Sequence, residues 1–221
     1  MNKQLFFQFP QLCQPRDSDV IVADFNYDVM EFLFKPHQWL SNFLCVYGEA
    51  GVGKSFLTQR FIHLYQGKEI FEKHIKHISE IEKITAKYKV LLFEDFEKFC
   101  NSKNEVCFFN LYNTVQVSTC KLIITSAIPL HHMPIKLPDL HSRLKSITSL
   151  RINNPNDVTL QQLFVKIIAD KQIFVSKEVV DYVFKRIQRD MPAIITLTNK
   201  MEKYILEYNK PITLKSIQQL I

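Results

Sequence analysis

Short apolar runs alternate with segments of helical periodicity between Val20 and Leu150. The runs Phe43–Tyr47, Val90–Phe93 and Leu122–Thr125 have the length and composition of buried strands. A helical pattern from about Glu105 to Val117 separates the last two runs, as the crossover between parallel strands requires. The alternation therefore predicts an α/β fold with a parallel sheet flanked by helices.

Helical periodicity alone continues after the polar segment Asn153–Asp157. Asp157 is a suitable N-cap, and the apolar residues that follow it repeat at the spacing of one buried helix face. A later helix is predicted to start near Asp190, and Thr213 is predicted to cap a short terminal helix. The predicted organisation is an extended tail rich in turn formers (residues 1–19), an α/β domain (20–152) and a small all-α domain (153–221).

Three of the four glycines lie in one short segment directly after the first predicted strand. Glycines allow consecutive backbone N–H groups to turn inward around a phosphate, while Lys54 can reach the β- and γ-phosphates and Ser55 can ligate Mg²⁺. A helix predicted over Phe56–Leu64 would direct its N-terminus at the same phosphates. This P-loop spacing predicts that the chain binds ADP or ATP with Mg²⁺. The predicted nucleotide-binding residues here are Gly48, Glu49, Ala50, Gly51, Val52, Gly53, Lys54, Ser55 and Phe56.

Two carboxylates, Glu94 and Asp95, directly follow the second predicted strand. A P-loop nucleotide site needs an acidic partner there, to hold Mg²⁺ through water and to polarise the attacking water. We assign Glu94, with Ser55, to the metal and Asp95 to the water. Because the shorter carboxylate stands at the water position, intrinsic hydrolysis is expected to be slow. Thr125 is either a sensor of the γ-phosphate or simply the polar end of the third strand.

The bulk composition narrows the classes of partner. The formal net charge is +6, but no basic run exceeds two residues. Binding of negatively charged nucleotide phosphates is enough to explain part of this positive charge. No apolar stretch approaches the length of a membrane span, and the N-terminus lacks the pattern of a secretory signal. The sequence therefore predicts a soluble, cytoplasmic protein with no membrane partner.

The ordered set of the glycine loop, Leu91–Asp95, Leu137–Leu144 and the helical segment resembles the AAA+ ATPases of the DnaA branch. Within that branch, the chain is most similar to Hda-type regulators of replication initiation in their alphaproteobacterial form, from about Asp24 onward. The resemblance implies an AAA+ nucleotide-binding domain followed by a helical lid. It also gives Arg143 the position of an arginine finger, which acts in trans on the nucleotide of a neighbouring subunit.

The tail segment from Gln4 to Phe9 is similar to the peptides that dock bacterial proteins onto the DNA polymerase sliding clamp, and Hda-type proteins carry theirs at this place. By this resemblance, Gln4 orients the peptide through hydrogen bonds, while Leu5, Phe7 and Phe9 fill an apolar groove on the clamp. The alternative is a tail that packs on its own domain.

Two positions depart from the pattern of the initiators. Pro192 stands where they carry a lid arginine, and Ala127 stands where they carry an aspartate near the γ-phosphate. The resemblance therefore does not imply that this chain senses its nucleotide state, and these two residues are compatible with a stable ADP-bound form. No helix-turn-helix pattern follows the helical segment, so we expect no direct sequence-specific DNA binding.

The sequence thus predicts a negative regulator that docks on the sliding clamp and promotes hydrolysis of ATP bound to the DnaA initiator. Its own ATPase activity would be weak, and it could form homo-oligomers. The alternatives are a helicase-loader-like ATPase and, from another class, a small-molecule P-loop kinase. Residues 126–160 contain only two arginines, Arg143 and Arg151, whereas such a kinase would need several in this region.

Overall fold

A computed structural model describes residues 22–99 and 104–221 of the chain. The predicted tail, including the clamp-binding residues Gln4, Leu5, Phe7 and Phe9, lies outside these described residues. The strands are β1 (Phe43–Tyr47), β2 (Lys68–Ile70), β3 (Val90–Phe93), β4 (Lys121–Ser126) and β5 (Thr148–Arg151). The helices are α1 (Tyr27–Leu33), α2 (Lys54–Leu64), α3 (Ile78–Lys87), α4 (Phe96–Phe99), α5 (Glu105–Gln116), α6 (Pro138–Lys145), α7 (Asp157–Asp170), α8 (Lys177–Phe184), α9 (Met191–Tyr208) and α10 (Leu214–Leu220).

The five strands form one parallel sheet in the order β2-β3-β4-β1-β5. The central pair sets the register, with Cys45 of β1 opposite Ile124 of β4. Both faces of β1 and β3 are buried, as expected for a parallel sheet covered by helices on each side. The carboxyl ends of β1, β3 and β4 therefore meet at one edge of the sheet.

The described residues pack around three apolar cores. One face of the sheet packs against α3, α5 and α6, with Phe96 and Phe108 at its centre. The other face packs against α1 and α2, and Phe61 lies in that core between the rings of Trp39 and Phe34. The third core lies within α7 to α10 and is centred on Phe164. The predicted parallel α/β fold with a helical C-terminal portion is therefore confirmed.

The helical portion begins one residue earlier than predicted. The predicted N-cap of α7 was Asp157, but the cap is Asn156, whose Oδ1 accepts a hydrogen bond of 2.9 Å from the backbone N–H of Thr159. Asp157 is instead the first helical residue, where its negative charge favours the helix N-terminus. The predicted start of a helix near Asp190 is confirmed, with Asp190 as its N-cap, and so is the predicted cap Thr213.

Among the residues that the structure describes, no helix is both long and apolar enough to cross a membrane.

Candidate functional site

The glycine loop joins the carboxyl end of β1 to the N-terminus of α2. The helix starts at Lys54, two residues before the predicted start at Phe56. Gly51 (φ +79°) and Gly53 (φ +102°) adopt left-handed backbone conformations that favour glycine, and Gly53 is the N-cap of α2. The first turn of α2 therefore points its free N–H groups into the loop, which is the arrangement that binds phosphate.

The ammonium group of Lys54 lies inside this loop. Its Nζ donates hydrogen bonds to the carbonyl oxygens of Gly48 (2.8 Å) and Glu49 (2.9 Å), and the residue is only 8% exposed. The side chain of Glu49 in turn accepts a hydrogen bond of 2.9 Å from Asn154, just before α7. These contacts fix a positive charge at the centre of the loop, where phosphate oxygens could exchange with the two carbonyls.

Glu94 lies at the carboxyl end of β3, beside the start of α2. Its carboxylate accepts a hydrogen bond from Ser55, and the hydroxyl of Thr58 lies 3.4 Å from its Oε1. Burial raises the pKa of the Glu94 carboxyl, and the hydrogen bonds from Ser55 and Thr58 oppose this rise. The structure thus brings the two predicted metal-binding residues together. Their hydroxyl and carboxylate oxygens are ligands that suit Mg²⁺, so these residues fit the predicted metal.

Asp95 follows Glu94 in a left-handed backbone conformation (φ +52°). Its backbone N–H donates a hydrogen bond of 3.0 Å to Oγ1 of Thr125, which is fully buried at the end of β4. Its carboxylate forms an exposed ion pair with Lys98 on α4. Thr125 therefore orients the backbone of the residue that we assigned to the attacking water, and Lys98 holds its side chain.

A cleft of about 680 Å³ extends from the loop between α2 and the helical portion. This volume is within the range of small-molecule sites, and apolar side chains form most of its walls. The sequence interpretation identified Val52, Gly53 and Phe56 in these walls but missed those contributed by the segments around α1, α7 and α9. The lining residues from those segments include Phe25, Asn26, Leu163, Ile167, Met191 and Ile195.

Pro192, near the start of α9, packs directly on the glycine loop. A Cβ built on Gly51 would lie 2.2 Å from Cγ of Pro192 and 2.6 Å from its Cδ. The proline is compatible with the first turn of a helix, where its missing N–H needs no partner. The helical portion therefore contacts the loop through an uncharged ring at the position where the resemblance implied an arginine.

Arg143 lies on α6, which packs beside α5. Its guanidinium donates a hydrogen bond of 2.8 Å to Oε1 of Gln116, and it lies 5.3 Å from the ring centroid of Tyr112 and 5.7 Å from that of Phe109. The hydrogen bond to Gln116 and the cation–π contacts with the two rings hold the Arg143 side chain against α5. The charge of Arg143 is thus only partly exposed, on the α5–α6 surface.

Glu105, at the start of α5, fixes the segment that leads into α6. Its carboxylate accepts hydrogen bonds from the backbone N–H groups of Lys136 (3.1 Å) and Leu137 (2.7 Å), and the residue is 4% exposed. The sequence interpretation missed this residue because its partners lie far away along the chain. Glu105 therefore determines where α6, and Arg143 on it, sits against α5.

Together, the glycine loop, the acidic end of β3, the sheet order and the helical portion define a P-loop nucleotide-binding fold of the AAA+ class. No model of a known protein family matches the chain. It is similar to the replication initiator DnaA of Buchnera aphidicola, with 23% identity over 203 residues, which cover 82% of this chain and 46% of that protein. The chain spans less than half the length of the curated DnaA relatives that it matches.

Two solved structures show the same relationship in the fold. Domain III of DnaA from Thermotoga maritima superposes with a TM-score of 0.78 at 18% identity, and the match covers 94% of this chain and 98% of that one. AMPPCP-bound DnaA from Aquifex aeolicus gives a TM-score of 0.71 at 18% identity, covering 90% of this chain and 68% of that one. The chain therefore has the fold of a DnaA domain III-like AAA+ domain, and its sequence is similar to those of DnaA proteins at 20–25% identity.

Proposed function

We propose that the glycine loop and the neighbouring cleft bind ADP or ATP. Lys54 would hold the phosphates, Ser55 and Glu94 would hold Mg²⁺, and the apolar cleft walls would surround the base. The position of Lys54 inside the loop supports this, because its two carbonyl partners leave a preorganised cation among inward-pointing N–H groups. The nucleotide-bound state of the similar Aquifex protein gives independent support.

We infer that hydrolysis in this site is slow. The carboxylate of Asp95 pairs with Lys98, so its negative charge is partly compensated before any water approaches. Pro192 meets the loop without a charge that could stabilise the transition state. Bound Mg²⁺ would supply neutralisation of phosphate charge, but the chain offers few groups to activate water. An ADP-bound form would therefore arise by direct binding of ADP rather than by rapid turnover of ATP in this site.

The proposed activity is exerted on a partner. We propose that the chain is an Hda-type negative regulator, which docks on the DNA polymerase sliding clamp through Gln4, Leu5, Phe7 and Phe9 and presents Arg143 to ATP held by the DnaA initiator. Action on the chromosomal initiator would place it in the cytoplasm. The observation that carries this proposal is the attachment of Arg143 to α5, because it keeps a cation on a surface rather than in the chain's own loop.

An assay of initiator hydrolysis tests the proposal. Initiator loaded with labelled ATP is mixed with clamp on DNA and with the protein, and conversion to ADP is followed. Arginine fingers acting in trans are worth roughly 10³ to 10⁵ in rate, so Arg143→Ala should remove most of the stimulation. Lys145→Ala removes an exposed charge from the same helix and is the matched control, which should stimulate normally.

Stimulation by Arg143→Ala equal to that of the unaltered protein would show that Arg143 is structural. A tail variant with Leu5 and Phe7 both changed to Ala should lose clamp binding and stimulation together. Rapid ATP turnover by the protein alone, with no effect on the initiator, would instead favour the helicase-loader-like alternative.

A further inference from the structure

The cleft between α2 and the helical portion has an apolar rim as well as apolar inner walls. Phe56, in the first turn of α2, is 52% exposed, and Ile195 of α9 is 42% exposed, although both line the cleft. Contact of such side chains with water is unfavourable until another apolar group covers them. Before nucleotide binds, the cleft is therefore suited to an apolar segment of protein.

The chain enters the fold at the edge of this cleft. Phe25 lines the cleft, and its carbonyl accepts a hydrogen bond of 2.9 Å from the backbone N–H of Asn153. Asn26 also lines the cleft, and its Oδ1 accepts a hydrogen bond of 2.9 Å from the backbone N–H of Ala23. These bonds fix the first described residues in place. The residues that precede Val22 are therefore attached beside the cleft.

The segment Gln4–Phe9 is apolar and lies close enough along the chain to reach the cleft. Its apolar residues are Leu5, Phe6, Phe7 and Phe9. Residues 10–21 connect this segment to Val22, and a fully extended stretch of that length spans about 40 Å at most. A tether of this kind gives an effective concentration on the order of millimolar, which a separate protein would have to exceed. The favoured occupant is thus a segment of the same chain.

We propose that, in the absence of nucleotide, the segment Gln4–Phe9 docks in the cleft of its own chain and that ADP or ATP displaces it. The nucleotide base and the apolar side chains compete for the same walls. The displaced segment is then available to the sliding clamp, so nucleotide and clamp favour each other's binding by the same factor. This inference rests on the proposed function and adds to it a role for nucleotide in a slowly hydrolysing site.

Isothermal titration calorimetry with ADP tests the competition in the full chain. Docking that occupies the cleft for roughly 80–90% of the time raises the apparent Kd for ADP about 5- to 10-fold. Changing Leu5 and Phe7 together to Ala should therefore tighten ADP binding by about this factor, a gain that a misfolded variant would not show. The matched control changes Gln11 and Gln14 to Ala in the same tail and should leave the affinity for ADP unchanged.

Photo-crosslinking locates the docked segment. Benzoylphenylalanine in place of Phe7 should crosslink within one chain to the segments that line the cleft, and saturating ADP should remove these crosslinks. These segments are 52–60, 163–171 and 191–199. The same probe at Leu206, which is 79% exposed in the second half of α9, is the control and should give no crosslinks to the cleft.

Surface plasmon resonance on immobilised clamp measures the linkage. Saturating ADP should tighten clamp binding by the unaltered protein about 5- to 10-fold, the factor found in the calorimetric comparison.

Equal ADP affinity of the Leu5 and Phe7 double variant and the unaltered protein would overturn the inference and leave the proposed function standing. Crosslinks to other surfaces of the chain, or to a second chain, would also overturn it. Competition between the tail and ADP without any clamp binding would support docking in the cleft and refute the clamp-dependent part of the proposed function. Failure of every variant to bind ADP would refute the nucleotide site and this inference together.

Discussion

The glycine loop and the α5–α6 surface each hold a cation to which we assign a function, but they position it in different ways. Lys54 is fixed by carbonyl groups of its own loop, only a few residues away along the chain. Arg143 depends on side chains of a different helix, Gln116 and Tyr112, and on buried Glu105, which anchors the segment before α6. A contiguous segment thus forms the first site, whereas the second exists only after long-range packing.

This difference predicts different sensitivities. The loop should lose function when its own residues change and retain it when distant contacts are weakened. The α5–α6 surface should lose function through changes far from Arg143 in the sequence.

The largest effect is expected from Lys54→Ala. Loss of the buried ammonium removes charge-assisted hydrogen bonds to phosphate, so ADP and ATP affinity should fall at least about 100-fold. Thermal stability should change little, because Lys54 bonds only to loop carbonyls and packs in no core. Isothermal titration calorimetry measures this, with Lys68→Ala, an exposed lysine at the start of β2, as the control. Unchanged affinity would remove the assignment of the loop.

An intermediate effect is expected from Glu105→Ala, which tests whether the α5–α6 surface depends on distant contacts. The variant leaves the N–H groups of Lys136 and Leu137 without their acceptor, and the free energy of unfolding should fall by about 2–4 kcal/mol. Glu105→Gln keeps the volume and one acceptor oxygen, so its loss should be smaller, about 1–2 kcal/mol. Urea denaturation gives both values.

Below the unfolding transition, both Glu105 variants should bind ADP normally but stimulate the initiator less. This outcome would show that Arg143 depends on distant support while the loop does not. Reduced ADP binding together with intact stimulation would reverse the comparison.

The smallest effect is expected from Glu94→Gln and depends on pH. Because burial raises the pKa of Glu94 in the folded state, the folded protein binds this proton more tightly than the unfolded chain. Stability of the unliganded protein should therefore fall as pH rises from the ordinary pKa of a glutamate to the raised one. The Gln variant should lack this dependence and be slightly more stable at neutral pH. Thermal unfolding at several pH values, without nucleotide, measures it. A variant with the same pH dependence would show that another group is responsible.

The site residues that could be predicted from the sequence are those that lie next to one another in short segments directly after a strand. Lys54 and Ser55 follow one strand and Glu94 and Asp95 another, and parallel strands bring their carboxyl ends to one edge of the sheet, so the structure places these residues together. The predictions for β1 and β3 are confirmed at both ends.

Strands β2 and β5 have sequence patterns too weak to predict them. Strand β2 has only three residues, two of them charged, and β5 consists of Thr, Ser, Leu and Arg without an apolar run. Each is held by pairing with a neighbouring strand rather than by its own pattern. The cleft walls come from four separated segments, and only the folded chain brings Phe25, Ile167 and Met191 together. Asn156 and Asp157 are neighbours of similar capping strength, so sequence could not choose between them.

The contact between Gly51 and Pro192 also means that substitutions at these two positions, which lie far apart in the sequence, depend on each other during evolution. A side chain at residue 51 would collide with the ring at residue 192, and the left-handed backbone there disfavours any other residue as well. A larger residue can enter the loop only if position 192 has first become smaller or the start of α9 has moved. Related chains should therefore show paired changes at these two positions, so that a bulky residue in the loop and a proline at the start of the helix exclude each other.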